Sequence, residues 1–182
     1  SMEDAHGKDF ENVQEYHDAM IKLQNRISDA GYEATVSGAV IYGVVYQSDE
    51  CKEGKNILSV QPVDSKGDYY TYTNGTRPVL ENEIAISEKS MKKLGVHIGD
   101  EVTAKMPEGE KRFIITGSYQ DYMQLGESIL RPLRESIQSV KNGQRLYEEV
   151  RIRVKDPKTA TEFENYLKRL GVDAIFEEPQ PI

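Results

Sequence analysis

Tryptophan is absent from this 182-residue chain, and cysteine occurs once, as Cys51. A single cysteine excludes an intramolecular disulfide and any zinc cage built on thiolates. It leaves the compartment open, because a bacterial exterior tolerates Cys-poor chains as well as a cytosol does. Long hydrophobic runs are missing too. The longest, Ala39 to Val45 with Gly43 inside it, falls far short of the ~20 residues that span a bilayer. No charged-then-apolar leader opens the chain. Ser1 ahead of Met2 reads as a cloning remnant, so the chain is expected to be a domain cut from something larger.

Positive charge is scarce: 23 Lys and Arg stand against 31 Asp and Glu, a net of −8. That balance argues against nucleic acid or an anionic membrane surface as partner, since both reward basic residues. The excess sits at the front. Residues 1–56 carry 5 bases and 11 acids, whereas residues 124–182 carry 10 of each. Apolar residues make up 37%, with 11 Tyr and 4 Phe supplying the aromatics. The Ile, Val and Leu content suffices for a core, so a disordered chain is a poor reading.

What is present falls into alternating helical and strand patterns. Val13, Tyr16, Met20, Leu23, Ile27 and Ala30 recur in steps of three and four, the stripe of an amphipathic helix stopped at Gly31. Glu33 to Tyr46 reads as one strand, or two bent at Gly38 and Gly43. A charged loop over 49–56 leads to a strand from Ile57 to Val63. Lys66-Gly67-Asp68 and Asn74-Gly75 are turn signals around Tyr69 to Tyr72.

A compact unit follows. Ile84-Ala85-Ile86 is a short strand, Ser87 an N-cap, and Glu88 to Leu94 a helix ended by Gly95. Gly99-Asp100 turns the chain into a strand over Glu101–Met106, and Pro107 to Glu110 is the hairpin before its partner, Lys111 to Ser118. The pattern predicts a small β-barrel or curled sheet. Leu125, Ile129, Leu133, Ile137 and Val140 keep helical spacing, so residues 123–145 are expected to be a helical connection, started or kinked at Pro132. Tyr147 to Lys155 alternates as a strand, and Asp156-Pro157 opens a second amphipathic helix through Ala160, Phe163, Leu167 and Leu170. Gly171 ends it before a final strand, Val172 to Phe176.

The two ends echo one another: Ala30-Gly31-Tyr32-Glu33-Ala34 and Leu170-Gly171-Val172-Asp173-Ala174 each join an amphipathic helix to a strand. Glycine ends many helices before many strands, so the echo alone does not prove kinship. The fold class expected is α+β, a split α/β layer from both chain ends with an inserted β-rich, barrel-like subdomain. The boundaries expected are 11–65 plus 146–178 for the split layer and 66–122 for the insertion.

A reacting centre is not legible. There is neither a phosphate-cradling P-loop, nor a dinucleotide fingerprint, nor a G-x-S-x-G elbow. His6, His17 and His97 never share metal-ligand spacing, and His97 reads as a solvated loop residue. Cys51, in a charged loop without a nearby histidine, reads as an inert exposed thiol. Asp64 to Asp68 lacks the distal Glu of a calcium loop. Asn74-Gly75-Thr76 matches a glycosylation sequon that a tight turn explains equally well. Glu148-Glu149 and Glu177-Glu178 read as solvated charge at strand ends. Tyr69, Tyr70 and Tyr72 are strand residues at a subdomain junction, or a sticky patch for a peptide or sugar. No catalytic residue, cofactor or metal is expected.

The middle unit carries a sharper signal. Asn82-Glu83-Ile84-Ala85-Ile86-Ser87, Leu94-Gly95-Val96-His97-Ile98-Gly99-Asp100-Glu101-Val102 and Phe113 to Tyr119 with Gly117 resemble the extracytoplasmic domain of FtsX/MacB-type ABC transporter permeases. That family reads as an E-I-x-I-S strand, a short helix, an L-G-x-x-x-G-D turn and a strand ending V-x-G. The matching positions are Glu83, Ile84, Ile86, Ser87, Leu94, Gly95, Gly99, Asp100, Val102 and Gly117, expected to be structural. Segment 123–145 maps onto no family motif. The resemblance implies a bacterial domain outside the cell membrane that couples ATP hydrolysis elsewhere to a peptide, lipoprotein or drug. It implies as partners transmembrane helices of the same polypeptide, a second permease copy or half, a cytoplasmic ATPase and an unknown outside protein or peptide. A free-standing extracellular ligand-binding module and a small hydrolase are the rival readings. The first helix is expected to continue towards the membrane as a stalk.

Overall fold

The computed structural model describes residues 13–62, 69–106, 109–122, 124–132, 146–172 and 175–176. Two compact units divide the chain: residues 1–39 with 148–182, and residues 40–147.

The first unit begins with α1 (Val13–Asp29), whose buried stripe is Tyr16, Met20, Leu23 and Ile27. Burying side chains such as Met20, Leu23 and Ile27 contributes about 1.5–3 kcal/mol each. The stripe faces the first residues of β1 (Ala34–Gln47). A Cβ on Gly38 would lie 2.3 Å from Met20 Sδ and 2.7 Å from the Tyr16 hydroxyl, so the helix rests directly on the strand. Gly38 therefore admits close packing rather than the bend its sequence position suggested, and β1 runs unbroken through Gly43 as well. Gln24 completes the contact: its Nε2 donates to Ala34 O at 2.8 Å and its Oε1 accepts the Val36 N–H at 3.0 Å.

The C-terminal half of this unit repeats the scheme. Strand β8 (Leu146–Val154) lies beside β1, with Lys155 N–H donating to Glu33 O at 3.0 Å. Asp156 caps the turn Pro157–Thr159 by accepting the Lys158 N–H. Helix α3 (Ala160–Arg169) buries Phe163 and Leu167, and Tyr32 lies 5.0 Å from the Phe163 ring and 5.1 Å from Tyr166. Gly31 and Gly171 both take left-handed φ, +88° and +76°. The residue after each donates five residues back: Tyr32 to Ile27 O and Val172 to Leu167 O. Both helices thus end in the same glycine cap.

The second unit is a closed barrel. It uses β1 from Val40, β2 (Lys55–Pro62), β4 (Glu83–Ser87), β5 (Glu101–Met106), β6 (Gly109–Tyr119) and β7 (Ser128–Leu130). Neighbours run β2-β7-β4-β6-β5-β1, and β1 pairs back with β2, leaving no open edge on that circuit. The β2–β7 and β4–β6 pairs are parallel; β4–β7, β5–β6 and β1–β5 are antiparallel. Strand β3 (Tyr72–Gly75) lies outside the circuit, pairing with the last residues of β6. Helix α2 (Glu88–Leu94) joins β4 to β5.

The boundaries differ from those read in the sequence. Residues 40–62 pair inside the barrel unit rather than with the chain ends, because β1 and β2 supply two of its staves. The helical spacing after residue 123 also misled: Gln124–Gly126 is one short turn and Ser128–Leu130 is a strand held between β2 and β4. Apolar residues four apart fit buried extended chain here because β7 is covered on both faces, Ser128, Ile129 and Leu130 all being buried. The rest of that stripe, 133–145, lies outside the described residues, as do Asp64 to Asp68 and Pro107-Glu108 of the hairpin.

Candidate functional site

The ten motif positions converge on β4, α2, the turn after it, β5 and β6, and each has a local task. The Glu83 carboxylate accepts N–H bonds from Val79 at 3.0 Å and Leu80 at 2.7 Å, closing the loop that enters β4. Ile84 and Ile86 are fully buried. Ser87 Oγ caps α2 by accepting the Ser90 N–H at 3.2 Å, and also accepts the Ser128 N–H at 3.2 Å from β7. Leu94 and Val102 fill the core. Gly95 ends α2 at φ +66°, again with the next residue, Val96, donating five back to Met91 O.

The G-D turn is pinned to β6 from both sides. Gly99, at φ +94°, donates to Ile115 O at 2.8 Å, and Ile115 donates to Asp100 O at 3.0 Å. The Asp100 carboxylate accepts the His97 N–H at 2.8 Å. At Gly117 the β4–β6 register slips opposite Ile84 and Ala85, and a Cβ there would stand 2.3 Å from Thr76 O.

Beside this turn lies an open cavity of about 820 Å³. Its wall includes Gly95, Gly99 and Asp100 of the motif, and Asp49 and Glu50 of the loop between β1 and β2. The lining is polar and carries both charges, Lys52 and Arg112 lining it along with the acids. His97 is 87% exposed, with Nδ1 3.6 Å from Asp100 Oδ2. A base needs a nucleophile in reach. The nearby Ser48 hydroxyl is committed elsewhere, donating to Leu94 O and accepting the Cys51 N–H at 3.0 Å. The arrangement suits contact with a polar partner.

Cys51 corrects an expectation. It is 3% exposed, because the reciprocal Ser48–Cys51 backbone bonds fold the charged loop over it. Neighbouring Glu53 has its carboxyl held below the ordinary range, first by its own backbone N–H, then by the Cys51 thiol.

Hydroxyl chemistry in the barrel is buried and was not legible as a cluster. Ser128 Oγ donates to the Asp121 carboxylate and bonds the Tyr119 hydroxyl at 2.8 Å. Tyr70 stacks on Tyr119 at 4.0 Å, so Tyr69 and Tyr70 are core residues rather than an exposed patch. Burial pushes the Tyr119 phenol well above its ordinary value, with Tyr70 adding to it. Burial also raises Tyr46, which bonds Ser59. Arg131 is 5% exposed; its guanidinium donates to the Tyr42 hydroxyl and lies 5.1 Å from the Phe113 ring centre. Tyr42 in turn donates to Gln61 Oε1 at 3.1 Å.

Among the described residues no group of three or more metal-ligating side chains assembles, and no helix is long and apolar enough to cross a membrane. His6 and both acid pairs lie outside the residues whose side chains are described.

Comparison with known proteins gives three results. Residues 107–182, less than half of the chain, match the family model described as the ligase Pab1020 C-terminal region. No curated protein matches the sequence. Among solved structures, a domain assigned to a permease protein of Porphyromonas gingivalis is similar at 15% identity and a TM-score of 0.49, covering 80% of this chain and 74% of that one. The extracellular domain of the ABC-type transporter YknZ from Gram-positive bacteria is similar at 11% identity and a TM-score of 0.47, covering 84% of each chain.

Proposed function

We propose that this chain is a non-catalytic extracytoplasmic domain of an FtsX/MacB-type ABC transporter permease in a bacterial cell membrane. One observation carries the reading: the E-I-x-I-S, L-G-x-x-x-G-D and V-x-G residues meet in one folded unit in which every one has a structural task. The partners of such a domain are transmembrane helices of its own polypeptide, a second permease copy or half, a cytoplasmic ATPase and an outside protein or peptide. Nucleotide chemistry belongs to the ATPase, and this domain transmits or receives motion. Helix α1, continued from a transmembrane span, would be the stalk.

The ligase match favours a second reading, in which residues 107–182 are the C-terminal region of a ligase. Thermal melts with and without Mg-ATP separate the two. A ligand at 100 times its Kd adds about 2.7 kcal/mol of stability. Coincident melts support the permease reading, and a clear upward shift supports the ligase. The coding sequence on either side is expected to encode apolar spans of ~20 residues.

A further inference from the structure

The cavity beside the Gly99-Asp100 turn has walls that are tied down from within. In the loop between β1 and β2, Ser48 and Cys51 exchange backbone bonds at 3.2 and 3.1 Å, and Gln47 Nε2 donates to Lys52 O at 2.7 Å. Ser48 Oγ reaches across to Leu94 O at the end of α2. The turn itself is held to β6 by the Gly99 and Ile115 N–H groups. Gly95 leaves the loop room, since a Cβ on it would stand 2.9 Å from Glu50 Oε2. The charges on these walls are not spent on one another. Asp49, Glu50, Glu101, Lys52 and Arg112 all line the cavity, and no side chain among them makes a hydrogen bond or ion pair with another described residue. Elsewhere in the same unit acids and bases do pair, Lys93 with Glu127 at 3.1 Å and Lys55 with Glu53 at 3.9 Å.

We propose that this cavity binds an extended peptide segment carrying Lys or Arg side chains, supplied by a separate protein. The inference rests on the reading of the chain as a domain that meets an outside protein or peptide, and it names that partner's chemistry. Charge selects the sign. Asp49, Glu50, Asp100 and Glu101 stand against Lys52 and Arg112 in the lining, on a chain of net −8, so a basic segment is drawn in and an acidic one repelled. The rest of the lining selects the class. Val96 is its one apolar side chain and is 6% exposed, so a drug-sized apolar ligand finds little surface to cover. No group of three or more metal-ligating side chains assembles among the described residues, so a bare metal ion lacks its donors. A basic peptide uses both signs of wall charge. Its side chains meet the carboxylates, while its main-chain carbonyls find donors in Lys52, Arg112 and the hydroxyl of Thr103, which pairs with Arg112 across β5 and β6. Walls that already hold their shape keep the ordering cost on this side small.

Amide NMR reads the site directly, through the N–H groups of Gly95 and Gly99. The full 182-residue chain, labelled with nitrogen-15, is titrated with two end-blocked heptapeptides of Gly and Ser that carry either three Lys or three Glu. The expected result is saturable shifts at Gly95, Gly99 and Lys52 with the Lys peptide, and at least tenfold weaker binding of the Glu peptide. Asp49→Asn combined with Glu50→Gln should weaken the Lys peptide at least fivefold while far-UV circular dichroism stays unchanged. Glu88→Gln combined with Glu110→Gln removes the same charge from acids outside the lining and should change the affinity less than twofold. Equal affinity for the two peptides overturns the proposal. So does equal weakening by the two double variants, which would make the attraction a general property of an acidic surface. Shifts centred away from the cavity, or none up to about 1 mM peptide, overturn it as well. Where the domain lies relative to the membrane is measured separately, by labelling from outside, so failure here and failure of the permease reading are told apart.

Discussion

Gly117 passes the Thr76 carbonyl so closely that a Cβ on Gly117 would stand 2.3 Å from that oxygen. The contact joins β6 to the segment after β3, and Thr116 donates a side-chain bond to the same carbonyl at 3.1 Å. Gly99 is the opposite kind of glycine: its φ is +94°, and a Cβ there meets nothing within 4 Å. Gly117→Ala must push backbone aside and is expected to cost about 1–3 kcal/mol. Gly99→Ala pays only left-handed strain, about 1–2 kcal/mol. Urea midpoints of the two variants check the order; equal losses would show that space at Gly117 is not the constraint.

Ser87 serves two buried acceptor roles, towards Ser90 N–H in α2 and Ser128 N–H in β7. Ser87→Ala leaves both donors without that oxygen, so a loss of about 2–3 kcal/mol is expected, more than an ordinary cap removal. A loss under about 1 kcal/mol by denaturant titration would show that the β7 contact contributes nothing.

Arg131 is a buried cation resting on a phenol and a ring. Desolvating a guanidinium is costly, and replacing one by an apolar chain of similar length is often neutral or stabilising. Arg131→Met is therefore expected to match or exceed the parent in stability. Tyr42→Phe, which removes the oxygen that accepts from Arg131, is expected to lose about 2–3 kcal/mol. The reverse order in chemical denaturation would mean the guanidinium has a role the fold does not reveal.

Alkaline stability follows from Tyr46 and Tyr119, both raised by burial above the ordinary phenol value near 10. The folded state keeps these protons when the unfolded chain has lost them. Protons bound to the unfolded state then number fewer, and stability falls as pH rises above about 10, by up to ~1.4 kcal/mol per pH unit per tyrosine. Below that pH neither group contributes a slope. Tyr119→Phe should flatten the fall between pH 10 and 11 in urea titrations; an unchanged slope would assign it to other groups.

Elements with local punctuation were legible. The Ser87 cap, the Gly95 stop and the Gly99-Asp100 turn follow from residues adjacent in sequence, and α2 spans the residues read for it, Glu88–Leu94. The echo of the two ends is real at the level of the cap, since Gly31 and Gly171 close their helices with the same bonds. Yet Gly95 closes α2 in that way too, so the cap is a general device rather than a mark of duplication. What failed was non-local. Cys51 is buried by a turn that brings two loop residues together, and β7 is a strand because β2 and β4 flank it. No periodicity in 123–145 carries that information. The Asp121–Ser128–Tyr119 cluster joins Ser128, read as part of a helical connection, to residues that lie before that segment in the chain.

The location of the domain tests the account most directly, and its one cysteine makes the measurement clean. Cys51 is 3% exposed and should not react, whereas His97 is 87% exposed. In the full-length protein, with any cysteines outside these 182 residues replaced, His97→Cys is expected to be labelled by a membrane-impermeant maleimide on cells whose cytoplasmic membrane is intact, with the His97 parent silent. Labelling of His97→Cys only after that membrane is broken would place the domain inside and contradict the account.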